Sequence, residues 1–337
     1  MSLLLGCLML LAPLHAEQIE PPLEFLYQPT NLLIVGTVKE INASFSRIVF
    51  QRTETLAGNP KLITQDDIDV LASQDVLRQV RVGKSYIVGY TVFASDPRNP
   101  ERMIANRKGA RMLNAPGLEP ALFEDRPDVR KVLNLGKSEH GRESRSSLKL
   151  LLGLLGKPDP QLQNLAAVQI VFEHGLQKKI RAPDRRAIEA FVRDAKPPPS
   201  ARGFLLVAAM QQPDVFGSEW WLDVAQNLVS TSPLGGYQNE SKGLDGLVLQ
   251  AFDVLNFSSA RVPSESLSRW LRSENLNIAE SALSMLRKQG LEQERAAIQT
   301  ALDDLGLTPE TGAFLRDHLR RLDLAKAKAD AEKQGSK

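Results

Sequence analysis

The chain is poor in cysteine, in aromatic residues and in net charge, and each shortage excludes something. One cysteine, Cys7, stands among 337 residues, so neither an internal disulfide framework nor a cysteine zinc cluster is available. Aromatic residues make up 6% of the chain. None interleaves with the basic cluster Arg107-Lys108-Gly109-Ala110-Arg111, which argues against base stacking on single-stranded nucleic acid. Lys plus Arg number 42 against 40 Asp plus Glu, a formal net charge of +2. That charge gives no whole-protein field for nucleic acid or an anionic membrane. What is present is a 42% hydrophobic and 24% charged composition, typical of a folded protein with a sizeable core. Collagen, a wholly disordered chain and a polytopic membrane protein are ruled out. The length suggests about two domains.

Residues Leu3 to Leu14 (LLLGCLMLLAPL) form an apolar run, and Ala16 stands just before the polar Glu17-Gln18. A run of that length ending in a small residue is the pattern of a secretory signal peptide, residues 1–16, cleaved after Ala16. It is too short for a membrane span, which needs about 20 apolar residues. Leu4-Leu5-Gly6-Cys7 also resembles a bacterial lipobox, whose cysteine would be lipidated and kept. The longest apolar stretch follows Cys7, however, which reverses the lipobox order. Membrane association is expected only on that lipobox reading. A buried N-terminal helix is the third possibility. After cleavage the mature chain has no cysteine, which fits a bacterial periplasm.

Residues 31–95 read as a β-rich module. Leu32-Leu33-Ile34-Val35-Gly36-Thr37-Val38 is a strand candidate, followed after a turn by Ser44 to Gln51. Thr64 and Asp67 predict the start of a short helix carrying Ile68, Leu71 and Ala72. Val76, Val80 and Val82 share a period of two, as do Tyr86, Val88, Tyr90 and Val92, with Gly83-Lys84 as a hairpin between them. This order fits a small β-barrel or an unspecified small sandwich. Val35-Gly36-Thr37-Val38 and Val82-Gly83-Lys84-Ser85-Tyr86-Ile87-Val88 resemble the OB-fold modules of secreted netrin-like domains, which implies a binding module.

Residues 96–145 are rich in Ser, Asp, Pro, Asn, Gly and Arg and read as a basic linker. Twelve Lys or Arg fall between Arg98 and Lys149 against seven Asp or Glu. Within it, Arg107, Lys108 and Arg111 are candidates to grip phosphate, an acidic glycan or an anionic partner. A solvated linker is the plainer reading.

From residue 146 to 323 helices take over. The expected set is Leu148–Leu155, Gln161–Leu176, one from Pro183-Asp184 to the Pro197-Pro198-Pro199 stop, Ala201–Gln211, Ser218–Ser230, Gly243–Leu255, Ser264–Arg272, Leu276–Gln289, Glu292–Leu305 and Pro309–Leu322. Leu154-Leu155-Gly156-Lys157-Pro158-Asp159-Pro160 with Leu162, Ala166 and Ala167 resembles the turn and second helix of a HEAT-like repeat. Trp270-Leu271-Arg272-Ser273-Glu274-Asn275 with Ile278, Ala279, Ala282, Leu283 and Leu286 repeats the pattern. The resemblance implies a solenoid; an irregular helical bundle is the alternative. Residues 324–337 are expected to be a disordered tail.

The search for chemistry returns little. Mature histidines are His140, His174 and His318, and none lies in an HExxH. His140, in the polar run Ser138-Glu139-His140-Gly141-Arg142-Glu143, is the binding or catalytic candidate. His174 suits a cap and His318 a solvated helix face. Gly83-Lys84-Ser85 and Gly136-Lys137-Ser138 end like phosphate loops but carry Arg78 and Lys131 where the first glycine is required. Ser146-Ser147-Leu148-Lys149 satisfies S-x-x-K, with a helix N-cap as its plain reading. Trp220-Trp221 is the densest aromatic spot, and adjacent helix positions point about 100° apart. One tryptophan can therefore enter the core while the other anchors a peptide or sugar.

These observations give an α+β protein: a small β-barrel-like module followed by an all-α HEAT-like domain. No cofactor, metal or nucleic acid is implied. The expected function is a non-enzymatic binding or scaffold role with a protein partner in the cell envelope. The alternative is an envelope-acting hydrolase or transferase using His140 or Ser146.

Overall fold

The structure, a computed structural model, describes residues 20–59, 65–93, 109–235, 242–258, 260–304 and 306–335. The expected signal peptide lies outside these residues. Five strands close a barrel: β1 (Asn31–Asn42), β2 (Arg47–Ala57), β3 (Asp67–Leu71), β4 (Ser85–Phe93) and β5 (Gly109–Met112). Their order is β1-β2-β3-β5-β4, and β4 pairs back onto β1. The β3–β5 pairing is parallel and the others are antiparallel. A short β6 (Leu122–Glu124) extends along β4.

Alternation along β1 explains its unbroken apolar run. Leu32 and Ile34 enter the barrel interior with Ile48, Phe50, Val70, Val88 and Tyr90. Leu33 and Val35 point the other way and join a core shared with the helices. A strand buried on both faces needs no polar positions. Gly36 falls on the inner face, where a β-carbon would come within 3.0 Å of Phe50 Cβ.

Helix and strand are exchanged between residues 65 and 82 relative to the sequence reading, Thr64 itself lying outside the described residues. Ile68 and Val70 alternate with Asp67 and Asp69 in strand β3. The valines instead belong to helix α2 (Gln74–Gln79) and its flank, after α1 (Pro22–Leu26). The Ser73 side chain caps α2 by accepting from the Val76 amide, and Val76, Leu77 and Val80 close the barrel interior. A spacing of four residues suits either period, so Val76 and Val80 did not discriminate. Gly83-Lys84 accordingly joins α2 to β4 rather than linking two strands.

The stretch expected as a linker, residues 96–145, is folded over its described part. It supplies β5, β6, α3 (Pro127–Leu133) and α4 (Glu139–Glu143). Val129, Val132, Leu133, Leu113, Leu118 and Phe123 from this stretch lie in the shared core. Each element is too short to show a period in sequence.

The remaining helices are α5 (Arg145–Leu155), α6 (Pro160–Phe172), α7 (His174–Gln177), α8 (Ala182–Arg193), α9 (Pro199–Gln211), α10 (Pro213–Phe216) and α11 (Trp220–Thr231). After them come α12 (Leu244–Ser258), α13 (Ser264–Ser268), α14 (Leu276–Gln289), α15 (Leu291–Leu302) and α16 (Pro309–Gly335). The single helix expected over Gln161–Leu176 breaks at Glu173, whose backbone is extended. Helices α6, α9, α12 and α14 pack each on the next and make one layer. Helices α5, α8, α11 and α13 make the other, and α15 and α16 close the array. Helix α16 runs on through most of the expected disordered tail. Its Asp323 pairs with Arg295 and its Lys326 with Glu292, both on α15.

Polar ties cross between helices of the outer layer. Arg145 on α5 donates from both terminal nitrogens to Asp184 on α8, the Nη2 contact at 3.0 Å. Asp184 also accepts from the Arg181 amide at 2.8 Å, which starts α8. Burial pushes the Asp184 carboxyl up, but Arg145 and the Arg181 amide outweigh it and hold it below the ordinary range. A depressed carboxyl contributes stability above its unfolded value of about 3.9, lost as pH falls through the lower folded value. Arg145→Ala is therefore expected to cost about 2–3 kcal/mol at pH 7. In urea titrations against pH, the gap from the parent should narrow below about pH 4.

Candidate functional site

The residues of the layer α6–α9–α12 that are not fully buried form a connected face. On α9 they are Ser200, Phe204, Val207 and Gln211, spaced by four, three and four residues as one helical stripe requires. Val171 and Phe172 continue the face on α6, and Leu249, Asp253 and Phe257 on α12. Phe257 is 72% exposed. The rest of α6 and α9 is apolar nearly all round, as expected of helices in the middle of a structure.

Close contacts hold the face together. Phe172 and Phe204 meet edge to face with centroids 6.0 Å apart. Ser200 Oγ donates to Asn164 Oδ1 at 2.8 Å. Between α9 and α12, a β-carbon on Gly203 would fall 1.6 Å from Gln250 Oε1, so the small residue lets the two helices approach. On the far side, Lys288 of α14 donates to Asn256 Oδ1 at 3.0 Å. On the near side, the segment between β5 and β6 crosses α6. Gly117, at φ +78°, sits against Val168, and Gln161 Nε2 donates to the Pro120 carbonyl at 2.8 Å.

Two carboxylates belong to this region, Glu119 in the crossing segment and Asp253 on α12. Both are exposed, yet loss of solvation pushes both above the ordinary carboxylate range. The face is apolar along α9, with the exposed Asp253 on α12 and the exposed Glu119 on the segment that crosses α6.

The residues singled out by sequence are scattered. Arg107 and Lys108 lie outside the described residues. Arg111 is exposed on β5, opposite Leu71 and Thr91. His140 is exposed on α4. Ser146 Oγ contacts Ser144 Oγ at 2.8 Å, and it is Ser144 that caps α5. The S-x-x-K pattern is thus part of a helix start. His174 Nδ1 lies 3.1 Å from Gln177 Oε1.

His318 does not occupy a solvated face. Its Nε2 lies 2.8 Å from Oε1 of Glu294, a fully buried carboxylate that also takes two hydrogen bonds from Arg287. Sequence reasoning missed this cluster because its members sit on three different helices.

Neither tryptophan is an outward anchor. Trp220 is 9% exposed, and its Nε1 donates to the Phe216 carbonyl. Trp221 packs half-buried against the core, and its Nε1 is buried without a hydrogen-bond partner. An unmade bond of this kind costs about 1–3 kcal/mol. Trp221→Phe removes the orphan donor and is expected to leave the unfolding midpoint unchanged or raised, as read by thermal denaturation.

A separate cleft of about 550 Å³ opens between the α5–α6 turn and α8, walled by Leu152, Leu155, Pro158, Phe191 and Pro197. Among the described residues no group of three His, Cys, Asp or Glu side chains is placed to hold a metal ion. No described helix is long and apolar enough to cross a membrane. No family model, curated protein or solved structure matches the chain.

Proposed function

We propose that this is an exported, non-enzymatic binding or scaffold protein of the bacterial cell envelope, which presents the half-open face of α6, α9 and α12 to a protein partner in the periplasm. The observation that carries the reading is the apolar stripe from Phe172 through Phe204 and Val207 to Leu249 and Phe257. Apolar side chains gathered on one face, rather than scattered singly, mark an interaction site. Export is supported by the apolar run Leu3–Leu14 with Ala16 behind it.

The architecture supports the same reading. The outer-layer helices start at Arg145, Ala182, Trp220 and Ser264, spacings close to the roughly 40 residues of HEAT-like repeats. Such arrays offer extended concave surfaces. The barrel's strand order, with a helix between β3 and β4, fits the OB-like reading and so a second binding module.

The test is a photo-crosslinking residue placed at Val207 in cells, with the same residue at exposed Glu139 as control. One envelope protein captured at 207 and not at 139 is the expected result. Absence of that adduct would overturn the reading. So would hydrolysis of envelope material by the purified protein that disappears in His140→Ala or Ser146→Ala.

A further inference from the structure

We propose that the segment docked on this face is amphipathic and cationic: a partner segment that sets a Lys or Arg against Asp253 and Phe257 and its aliphatic side chains against Phe204, Val207 and Leu249. The proposal rests on the docking role of the face argued above and specifies the chemistry of its occupant.

Charge complementarity on the face carries it. Asp253 and Phe257 are four residues apart on α12, so their side chains lie one helical turn apart on the same side. An exposed carboxylate beside an exposed phenyl ring is a receptor for a long cationic side chain. The ammonium or guanidinium pairs with the carboxylate and the ring face, while the methylene stem covers the ring edge and Leu249. No ion pair or hydrogen bond engages Asp253 or Glu119 among the described residues. A cation set against Asp253 would offset by its charge the loss of solvation that raises that carboxyl.

The flanking charges agree. Of the two cations on the neighbouring α14, Lys288 is held by Asn256 and Arg287 by Glu294, while Glu280 on the same helix is exposed. An anionic segment would meet Asp253 with no Lys or Arg on α12 or on the open positions of α6 and α9. An entirely polar cationic segment would leave Phe204, Val207 and Leu249 in contact with water.

Three synthetic peptides of about 14 residues, four helical turns, test the idea on the purified chain. The first is an amphipathic Leu/Lys helix, the second replaces its Lys by Glu, and the third replaces its Leu by Ser. Fluorescence anisotropy should show binding of the Leu/Lys peptide alone. Asp253→Lys should weaken it about tenfold or more, and Phe257→Ser severalfold. Both positions are exposed, so circular dichroism should report an unchanged fold. Equal binding of the Leu/Glu peptide would overturn the proposal. So would Leu/Lys binding that neither substitution affects. A crosslink at Val207 in cells without this peptide preference removes the cationic occupant but leaves the docking face. Peptide preference without any crosslink supports the chemistry and removes the envelope role.

Discussion

Leu33→Asp is expected to unfold the barrel and the helical array together. Leu33 is fully buried, on the outer face of β1, in the core that also contains Leu118, Leu148, Leu165 and the helices beyond. The substitution removes about 2–3 kcal/mol of apolar burial. It also puts a carboxyl where no cation is at hand, raising its pKa by up to 3–5 units, or about 4–7 kcal/mol at neutral pH. The sum rivals the whole stability of a typical domain, about 5–15 kcal/mol. Far-ultraviolet circular dichroism and tryptophan fluorescence should both report loss of structure in the absence of denaturant. All three tryptophans lie in the helices, so native fluorescence with lost strand signal would mean two independent domains. That outcome would contradict a shared core.

The second large effect is expected at Trp270. Its ring is 1% exposed and meets Phe252 edge to face at 6.2 Å. The Arg269 guanidinium lies 5.3 Å from the ring centroid. The indole Nε1 donates to the Val229 carbonyl at 2.7 Å, tying the turn after α13 to the last turn of α11. Trp270→Ala empties a large site and is expected to cost about 3–5 kcal/mol. Leaving the Val229 carbonyl unpaired adds about 1 kcal/mol. Trp270→Phe keeps most of the packing and should cost about 1–2 kcal/mol, chiefly the lost hydrogen bond. Urea unfolding of the pair separates packing from hydrogen bonding. Equal losses in the two variants would mean that the bond to Val229, rather than the ring, holds this turn.

Much of the fold was legible because helical and strand periods are local properties. Helix α14 was read at Leu276–Gln289, the bounds the structure shows, from Ile278, Ala279, Ala282, Leu283 and Leu286. Four-residue β5 and three-residue β6 were illegible, since neither is long enough to show alternation. They exist because β4 offers an edge to both. The tail was misread for a related reason: α16 continues through ion pairs to α15, a neighbour that no local pattern announces.

The candidate face was less legible still. In sequence, Phe204 and Val207 stand beside Leu205 and Leu206 in the apolar run Phe204–Met210, and nothing distinguishes them. The helices packed around α9 cover Leu205 and Leu206 completely and leave Phe204 and Val207 half open. The same applies to Trp220 and Trp221, where the sequence could state that the two side chains diverge but not what lay on either side.

The low cysteine count, the small net charge and the ordered sequence of apolar periods by themselves determined an α+β chain with strands first and helices after. Only the tertiary structure decided that the supposed linker supplies one barrel strand and part of the shared core, that His318 faces a buried carboxylate, and that α6, α9 and α12 leave Phe204, Val207 and Phe257 open. Periodicity depends on residues three or four apart, whereas exposure and desolvation depend on which distant segment arrives alongside.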